Sequence, residues 1–314
     1  GPRYTVIRSL PYDRPTTSMD EFPMCEECRE EYEDPADRRY HAQTIACPSC
    51  GPTVSLVSLD GDELTDGTDA IRAAGRRLQS GEILAIKGIG GTHIACDATN
   101  SAAVRRLRNR TDRPDKPFAL MAPSLATIET FAAVEADEAE ALDRTRRPIV
   151  LLEKAGGDWL EPVAPGLHTV GVMLPYSGLH HLLFDHVEEP IVLTSANRPG
   201  RPMALTRAAI LDRLGDVVDG VLDHDREIVA RCDDSVVRFS GGTRRFIRRS
   251  RGWVPQRLSL PSSVRSGTSD ILALGAEFDA TIAVTQGSDV IPSQHIGDVD
   301  NPRTLEHHRE VIAH

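Results

Sequence analysis

Four cysteines in the pattern Cys25-x2-Cys28-x18-Cys47-x2-Cys50 constrain this chain more than any other feature. Each C-x2-C pair turns tightly enough to aim two thiolates at one tetrahedral ion, and the 18-residue loop brings the pairs together. The pattern predicts one structural Zn2+ held by Cys25, Cys28, Cys47 and Cys50. Four thiolates close the coordination shell, so such a site shapes the chain and does no chemistry. His41, inside the loop, is surplus to it. Two disulfides or a redox C-x-x-C account poorly for two such pairs in a chain without extracellular features. Zinc ribbons also grip nucleic acid, but Glu26, Glu27, Glu30, Glu31, Glu33 and Asp34 make this one acidic, which favours a spacer facing protein.

The quartet runs directly into Gly51-Pro52-Thr53-Val54, and the chain opens on an echo of that exit, Gly1-Pro2 followed by Arg3-Tyr4-Thr5-Val6. The echo predicts a first cysteine pair just before residue 1, and hence a piece of a longer protein. At 314 residues the chain is long enough for more than one core. No apolar run approaches the ~20 residues that span a bilayer, so a soluble, cytoplasmic protein is expected. The formal net charge of -11 argues against bulk nucleic-acid binding but leaves room for a local basic pocket.

From residue 66 the pattern alternates between helical and strand signals, the mark of a layered α/β domain. A helix is predicted over 68–80, with Ile71, Ala74 and Leu78 on one face and Gly81 as its stop, followed by a strand from Ile83 to Ile86. Further helices fit 101–109, 124–143 with a break, 177–186 and 206–214. Apolar runs at 118–121, 148–152 and 191–194 read as buried strands, and 234–239 with 244–249 as a β-pair. The predicted division is a zinc module over 1–60, the α/β domain over 64–257, a Ser/Pro-rich linker over 258–270 and the start of a further strand-rich domain over 271–314.

Two basic runs stand out. Arg105, Arg106, Arg108, Arg110, Arg113 and Lys116 crowd a helix end and the turn before Pro117-Phe-Ala-Leu-Met121, where α/β sheets place ligands. Arg244, Arg245, Arg248, Arg249 and Arg251 lie in the β-pair. Arginine forks match phosphate oxygens, so the two runs together suit a triphosphate, although a solvated helix face explains any single member equally well. Strand Ile191–Thr194 ends in Ser195-Ala-Asn197, offering a hydroxyl and an amide at a strand tip. Lys87 opens the turn Gly-Ile-Gly-Gly-Thr92-His93, which permits close backbone approach to a ligand, yet no Walker A or G-x-G-x-x-G motif is present. His93, His180 and His181 have the chemistry of general bases, but histidines beside apolar strands are more often packing residues. Cys96 and Cys232 read as buried thiols. No residue is singled out as catalytic.

Taken together, the cysteine quartet with its Gly-Pro exit, Lys87-Gly-Ile-Gly-Gly, Arg113-Pro-x-Lys116-Pro-Phe-Ala, Leu193-Thr-Ser-Ala-Asn197 and Ser293-Gln-His-Ile-Gly-Asp298 resemble the HypF family of hydrogenase maturation carbamoyltransferases. The resemblance implies a second zinc finger, a YrdC-like domain with a twisted mixed sheet and flanking helices, and the opening of an ASKHA-type transferase domain. It implies ATP-dependent activation of carbamate, released from carbamoyl phosphate, as carbamoyl-adenylate. Transfer then follows to the C-terminal cysteine of the partner HypE, on the way to the hydrogenase cyanide ligands. The cofactors implied are structural Zn2+ and ATP with Mg2+, and no nucleic acid or membrane partner is expected. Carried over residue by residue, Lys87, Arg113, Lys116, Ser195, Asn197 and either Arg248 or Arg249 bind ATP or carbamoyl-adenylate. The family motif's lysine falls on Thr111 and its usual aromatic on Thr92. The transfer site is expected beyond residue 314, leaving these residues the adenylation step alone.

Two other readings compete. A threonylcarbamoyl-adenylate synthase of tRNA modification shares the YrdC-like chemistry but would not be expected to carry the quartet or the Gly275–Asp298 segment, and both are present. A noncatalytic zinc-ribbon interaction or RNA-binding protein sits poorly with the acidic balance.

Overall fold

The computed structural model of the chain describes residues 2–198, 200–261 and 269–314. Its strands, in chain order, are β1 (Val54–Val57), β2 (Glu63–Asp66), β3 (Leu84–Lys87), β4 (Thr92–Asp97), β5 (Ala119–Met121), β6 (Ala132–Ala133), β7 (Ile149–Lys154), β8 (Thr169–Met173), β9 (Ile191–Ser195), β10 (Gly220–His224), β11 (Val236–Ser240), β12 (Thr243–Arg248), β13 (Leu258–Ser259), β14 (Leu272–Ala273), β15 (Ala283–Gln286) and β16 (Asp289–Pro292). The helices are α1 (Glu26–Glu33), α2 (Gly67–Gln79), α3 (Ser101–Thr111), α4 (Leu125–Glu129), α5 (Ala136–Asp143), α6 (Gly178–Phe184), α7 (Arg207–Leu214) and α8 (Pro302–Ala313).

Most of the chain is built on one mixed sheet in the order β12-β11-β7-β8-β5-β9-β4-β3-β10-β1-β2, with β6 beside β7. Three pairings, β3 with β10, β5 with β8 and β7 with β11, are parallel, and the other named pairings in this sheet are antiparallel. Successive residues of β3 point to opposite faces, so Ala85 joins one apolar core while Leu84 and Ile86 join the other. On the first face Leu107 of α3, Ile128 of α4, Leu142 of α5 and Ile210 of α7 pack down on Ile94, Leu120 and Val150. On the second, Ile71, Ala74 and Leu78 of α2 and Leu183 of α6 cover Leu84, Ile86 and Met121. A sheet buried on both faces reads in sequence as short continuous apolar runs, and those runs were the legible strands.

Local signals set the helix ends. The stop residue Gly81 has a φ of +86°, the left-handed conformation glycine adopts without strain. Asn100 caps α3 by accepting from the backbone N–H groups of Ala102 and Ala103, both at 3.1 Å. The break expected within 124–143 is real and holds the two residues of β6.

Two boundaries differ from expectation. Residues 54–57, assigned to the zinc module by the 1–60 division, pair with β10 and β2 inside the large sheet, because their alternation buries Leu56 on one face and Val57 on the other. Of the linker expected over 258–270, Leu258 and Ser259 form β13 against Val290 and Asp289, while 262–268 lie outside the described residues. Strands β13-β16-β15-β14 form a small antiparallel sheet, and Ala280, Ile282, Ile296 and Val311 make a third core under α8. That unit is tied to the large one by Arg231 Nη1 donating to Glu310 Oε2 at 2.7 Å, Thr304 Oγ1 to the Gly200 carbonyl at 3.0 Å and Tyr4 Oη to Gln294 Oε1 at 2.5 Å. No helix among the described residues is long and apolar enough to cross a membrane.

Candidate functional site

The N-terminal module is organised from inside by a buried arginine. Arg14 donates to the carbonyls of Gln43 (3.0 Å), Ile45 (2.8 Å) and Phe22 (2.5 Å), which fixes the approaches to the cysteines. The four thiols lie within 4.8 Å of one another. Separations of 3.7 Å for Cys25–Cys47, 3.7 Å for Cys47–Cys50 and 3.6 Å for Cys28–Cys50 are far beyond a disulfide. They match the edge of a tetrahedron with Zn–S bonds of ~2.3 Å, which is about 3.8 Å. The donor set therefore fits one zinc ion. Gly51 must be glycine, since a Cβ there would meet the Ala46 Cβ at 2.7 Å and the Cys47 carbonyl at 2.9 Å. His41 is not part of the cluster.

At the large sheet, β9 and the turn after α3 face a cavity of about 300 Å3 whose lining includes Arg113, Lys116, Ser195, Asn197 and Arg248. The first basic run is thereby sorted. Arg106 donates to the Gly81 carbonyl and Arg110 to Asp219 Oδ1 at 2.8 Å, so both serve the scaffold. Arg108 is buried with its guanidinium stacked 4.4 Å from the Phe118 ring centroid. It donates to the carbonyls of Arg113 (2.7 Å), Lys116 (3.0 Å), Pro162 (2.6 Å) and Val163 (2.9 Å). One side chain thus gathers the loop that presents Arg113 and Lys116. At the cavity Arg113 donates to Thr194 Oγ1 at 3.2 Å and to Asn197 Oδ1 at 3.3 Å.

Among the described residues, no carboxylate lies within 4.0 Å of the Arg113, Lys116 or Arg248 side-chain nitrogens. Burial, then Arg248 and Arg108, lower the Arg113 pKa; burial, then Arg113 and Arg248, lower that of Lys116. Asp279 and Asp298 act on Lys116 from farther off and raise its pKa, but neither forms an ion pair with it, and three cations converging on an open space without a direct ion pair are suited to an anion with several oxygens.

Two expected ligand-binding residues stand elsewhere. Lys87 points under the glycine turn, where Nζ donates to the His224 carbonyl at 2.6 Å and lies 3.4 Å from Asp223 Oδ1. The turn itself is filled by protein: a Cβ at Gly90 would meet the Cys232 carbonyl at 2.6 Å, and one at Gly91 the Met203 Cε at 2.5 Å. Close backbone approach there is to the chain's own packing, not to a ligand. Arg249 donates to the Trp253 carbonyl at 2.6 Å and lines a different cavity, so Arg248 is the member of that pair at the strand tip. Thr111 is buried and donates to the Leu107 carbonyl at 2.7 Å, away from the cavity.

Several lining residues were not assigned to the ligand site in sequence, among them His93, weighed there only as a general base or a packing residue. His93, which pairs with Ser195 across β4 and β9, is hydrogen-bonded through Nε2 to Asp234 Oδ2 at 3.0 Å. Asp234 in turn accepts from Arg251 Nε at 2.5 Å. Burial works to raise the Asp234 pKa, but Arg251 and His93 outweigh it and hold the carboxyl well below the usual range. Arg251, the last of the second basic run, is therefore a buried counter-ion, with its Cζ 3.4 Å from the Tyr176 ring centroid. His180 is fully buried, with both ring nitrogens unpartnered, and burial pushes its pKa down to about 3. It stays neutral and acts as packing. Asp279, His295 and Asp298 of the C-terminal unit also line the cavity. The motif holding His295 and Asp298 was visible, but its position in a different domain hid their nearness to Arg113.

The mixed sheet and this cavity define a Sua5/YciO/YrdC-type α/β domain, and residues 76–250 match the family described as Telomere recombination. Residues 24–57 match the HypF finger and residues 266–314 the HypF Kae1-like domain. The chain belongs to the HypF family. It is 45% identical to the carbamoyltransferase HypF of Rhodobacter capsulatus over 306 residues, covering 98% of this chain and 40% of that protein. A crystal structure of full-length HypF in its phosphate- and nucleotide-bound form superposes with a TM-score of 0.94 at 42% identity, over 100% of this chain and 40% of that one. The human threonylcarbamoyl-AMP synthase is 27% identical over 192 residues, 59% of this chain and 67% of that enzyme. The chain spans about two-fifths of the length of the HypF relatives it matches.

Proposed function

We propose that these residues supply the carbamate-activating portion of an ATP-dependent carbamoyltransferase of [NiFe]-hydrogenase maturation. The single observation behind this reading is the convergence of Arg113, Lys116 and Arg248, none of them ion-paired within 4.0 Å among the described residues, beside the Thr194–Asn197 strand tip. In the proposed reaction a carbamate oxygen attacks the α-phosphorus of ATP, the bond from that phosphorus to the β-phosphoryl oxygen breaks, and pyrophosphate leaves with the displaced charge. In this reading the three cations hold the triphosphate and favour charge moving onto pyrophosphate. Ser195 and Asn197 orient the nucleotide, with Asn197 held by its bond to Arg113. Mg2+ enters with ATP as part of the substrate.

The carbamoyl group then passes to the C-terminal cysteine of an acceptor protein, HypE, using transferase elements to which 266–314, matching the HypF Kae1-like domain, would belong. Zn2+ on the cysteine quartet is proposed to be structural. A division into a finger module, an α/β domain extended at its start to include β1, and a C-terminal transferase unit fits these roles. A reducing, cytoplasmic compartment suits four free thiols held for a metal.

Pyrophosphate exchange into ATP tests this reading. Exchange supported by carbamate or carbamoyl phosphate, with little from threonine and bicarbonate, is the expected result. The reverse preference would assign the cavity to threonylcarbamoyl-adenylate synthesis.

A further inference from the structure

The second basic run splits between two places, and only Arg248 of it lines the cavity of Arg113 and Lys116. Arg244 and Arg249, with Arg146 from the loop before β7, line a separate cavity of about 470 Å3 together with Phe246, Trp253 and Leu258. Trp253, which is buried, is among its lining residues. The Arg146 and Arg244 guanidinium carbons sit 4.8 and 5.2 Å from the Trp253 ring centroid, and the Phe246 ring meets that tryptophan edge-on at 5.0 Å. Of the arginines lining the cavity, Arg144 pairs with Glu140, but among the described residues Arg146, Arg244 and Arg249 have no carboxylate within 4.0 Å. Burial and then Arg244 lower the Arg146 pKa, and burial and then Arg146 lower that of Arg249. Arg146 and Arg249 have neutral acceptors in Gln256 Oε1 at 3.2 Å and the Trp253 carbonyl at 2.6 Å, so an anion entering the groove would supply the charge that offsets the repulsion left among them.

We propose that this groove docks an acidic peptide segment of a partner protein, one carrying carboxylates beside a bulky apolar side chain. Guanidinium forks take carboxylates in bidentate fashion. Phe246 and Leu258, 38% and 44% exposed, give an apolar side chain a surface to cover. A nucleic-acid strand fits less well, because Trp253 is buried and offers no open ring face for a base. The chain's net charge of -11 also repels a long polyanion, whereas a short segment within a Debye length of about 8–10 Å responds to the local arginines. The proposal is independent of the adenylation chemistry.

Fluorescence anisotropy with a fluorescein-labelled peptide of alternating glutamate and leucine tests it. Binding that weakens as salt rises, and that Arg244→Glu weakens about tenfold or more, is expected. Arg244 is exposed on a hairpin, so the melting temperature should hold; Phe246→Ala is the second variant, expected to weaken the same peptide without changing the salt dependence. Tighter binding of a labelled oligouridylate of equal length would make the groove a nucleic-acid site. Displacement of the peptide by equimolar pyrophosphate would make it a small-anion site. Either result, no binding, or unchanged affinity in both variants overturns the proposal.

Discussion

Arg248 and Arg249 are neighbours in the chain, yet Arg248 lines the cavity of Arg113 and Lys116 while Arg249 donates to the Trp253 carbonyl at 2.6 Å beside a different cavity. Successive side chains of an extended strand end leave on opposite sides, so one step in sequence changes the function a guanidinium can serve. Arg248→Ala is therefore expected to weaken ATP binding by about 1.5–3 kcal/mol, roughly ten- to a hundredfold, the range for a charge-assisted hydrogen bond. Arg249→Ala should leave it within about twofold. Titration calorimetry on the two variants reads the contrast, and equal losses would contradict the assignment.

Arg108 should matter to the cavity without touching it. Its contacts with the carbonyls of Arg113 and Lys116 set where those cations stand. Arg108→Met keeps much of the apolar stem and removes the donors. ATP affinity is expected to fall about tenfold, and Arg108→Lys should restore little of it, since an ammonium cannot reproduce the planar fork. Parallel melts separate positioning from unfolding: affinity lost in a protein that is still folded at the assay temperature is the expected signature.

The pH dependence of stability carries the mark of His180. Its pKa is near 3 in the folded chain and about 6.5 when unfolded, so it is neutral in both states above pH 6.5 and contributes no pH dependence there. As pH falls below 6.5 the unfolded chain takes up the proton first, and stability drains away until pH approaches 3. At pH 5 the loss is about 2 kcal/mol. His180→Leu removes that component, so the wild-type advantage over the variant should shrink by about this amount between pH 7 and pH 5. Urea midpoints at the two values measure it, and a constant difference would rule the histidine out.

Zinc stoichiometry checks the quartet directly. Atomic absorption should return one zinc per chain. Cys28→Ser, at the buried member of the set, should abolish it and lower the first thermal transition, while Cys96→Ser should retain the metal. Retention of zinc by Cys28→Ser would require a different donor set.

What the sequence exposed depended on whether the physical determinant was local. The helix over 67–79, its Gly81 stop and the apolar strands β5, β7 and β9 carried their own periodicity and caps, and were legible. Strands β1, β2, β4, β6, β8 and β10 were not: Glu63–Asp66 is polar, Ala132–Ala133 is two residues long, Val54–Val57 follows closely on the cysteine quartet, and Thr92–Asp97, Thr169–Met173 and Gly220–His224 have their apolar runs broken by polar residues or glycine. The cysteine spacing needed nothing from elsewhere in the chain. The cavity was only half legible: Arg113, Lys116, Ser195, Asn197 and Arg248 were named, but Lys87 was misplaced because a lysine before a glycine turn looks the same whether it faces a ligand or the His224 carbonyl. His93 and Asp234 stand 141 positions apart, and only the sheet order brings them together.

The passage from Cys50 to β1 is three residues long, and Thr53 is pinned at its end by an N–H bond to Asp225 Oδ1 at 2.8 Å. Leu56 and Val57 beyond it belong to opposite cores. An insertion or deletion of one residue in Gly51–Thr53 would either pull a thiolate off the tetrahedron or slip β1 by one place and exchange those two side chains between faces. The spacer is thus a ruler whose length should be invariant among relatives even where its residues change, and a loop-length series across it should show zinc content or thermal stability falling sharply at a change of a single residue.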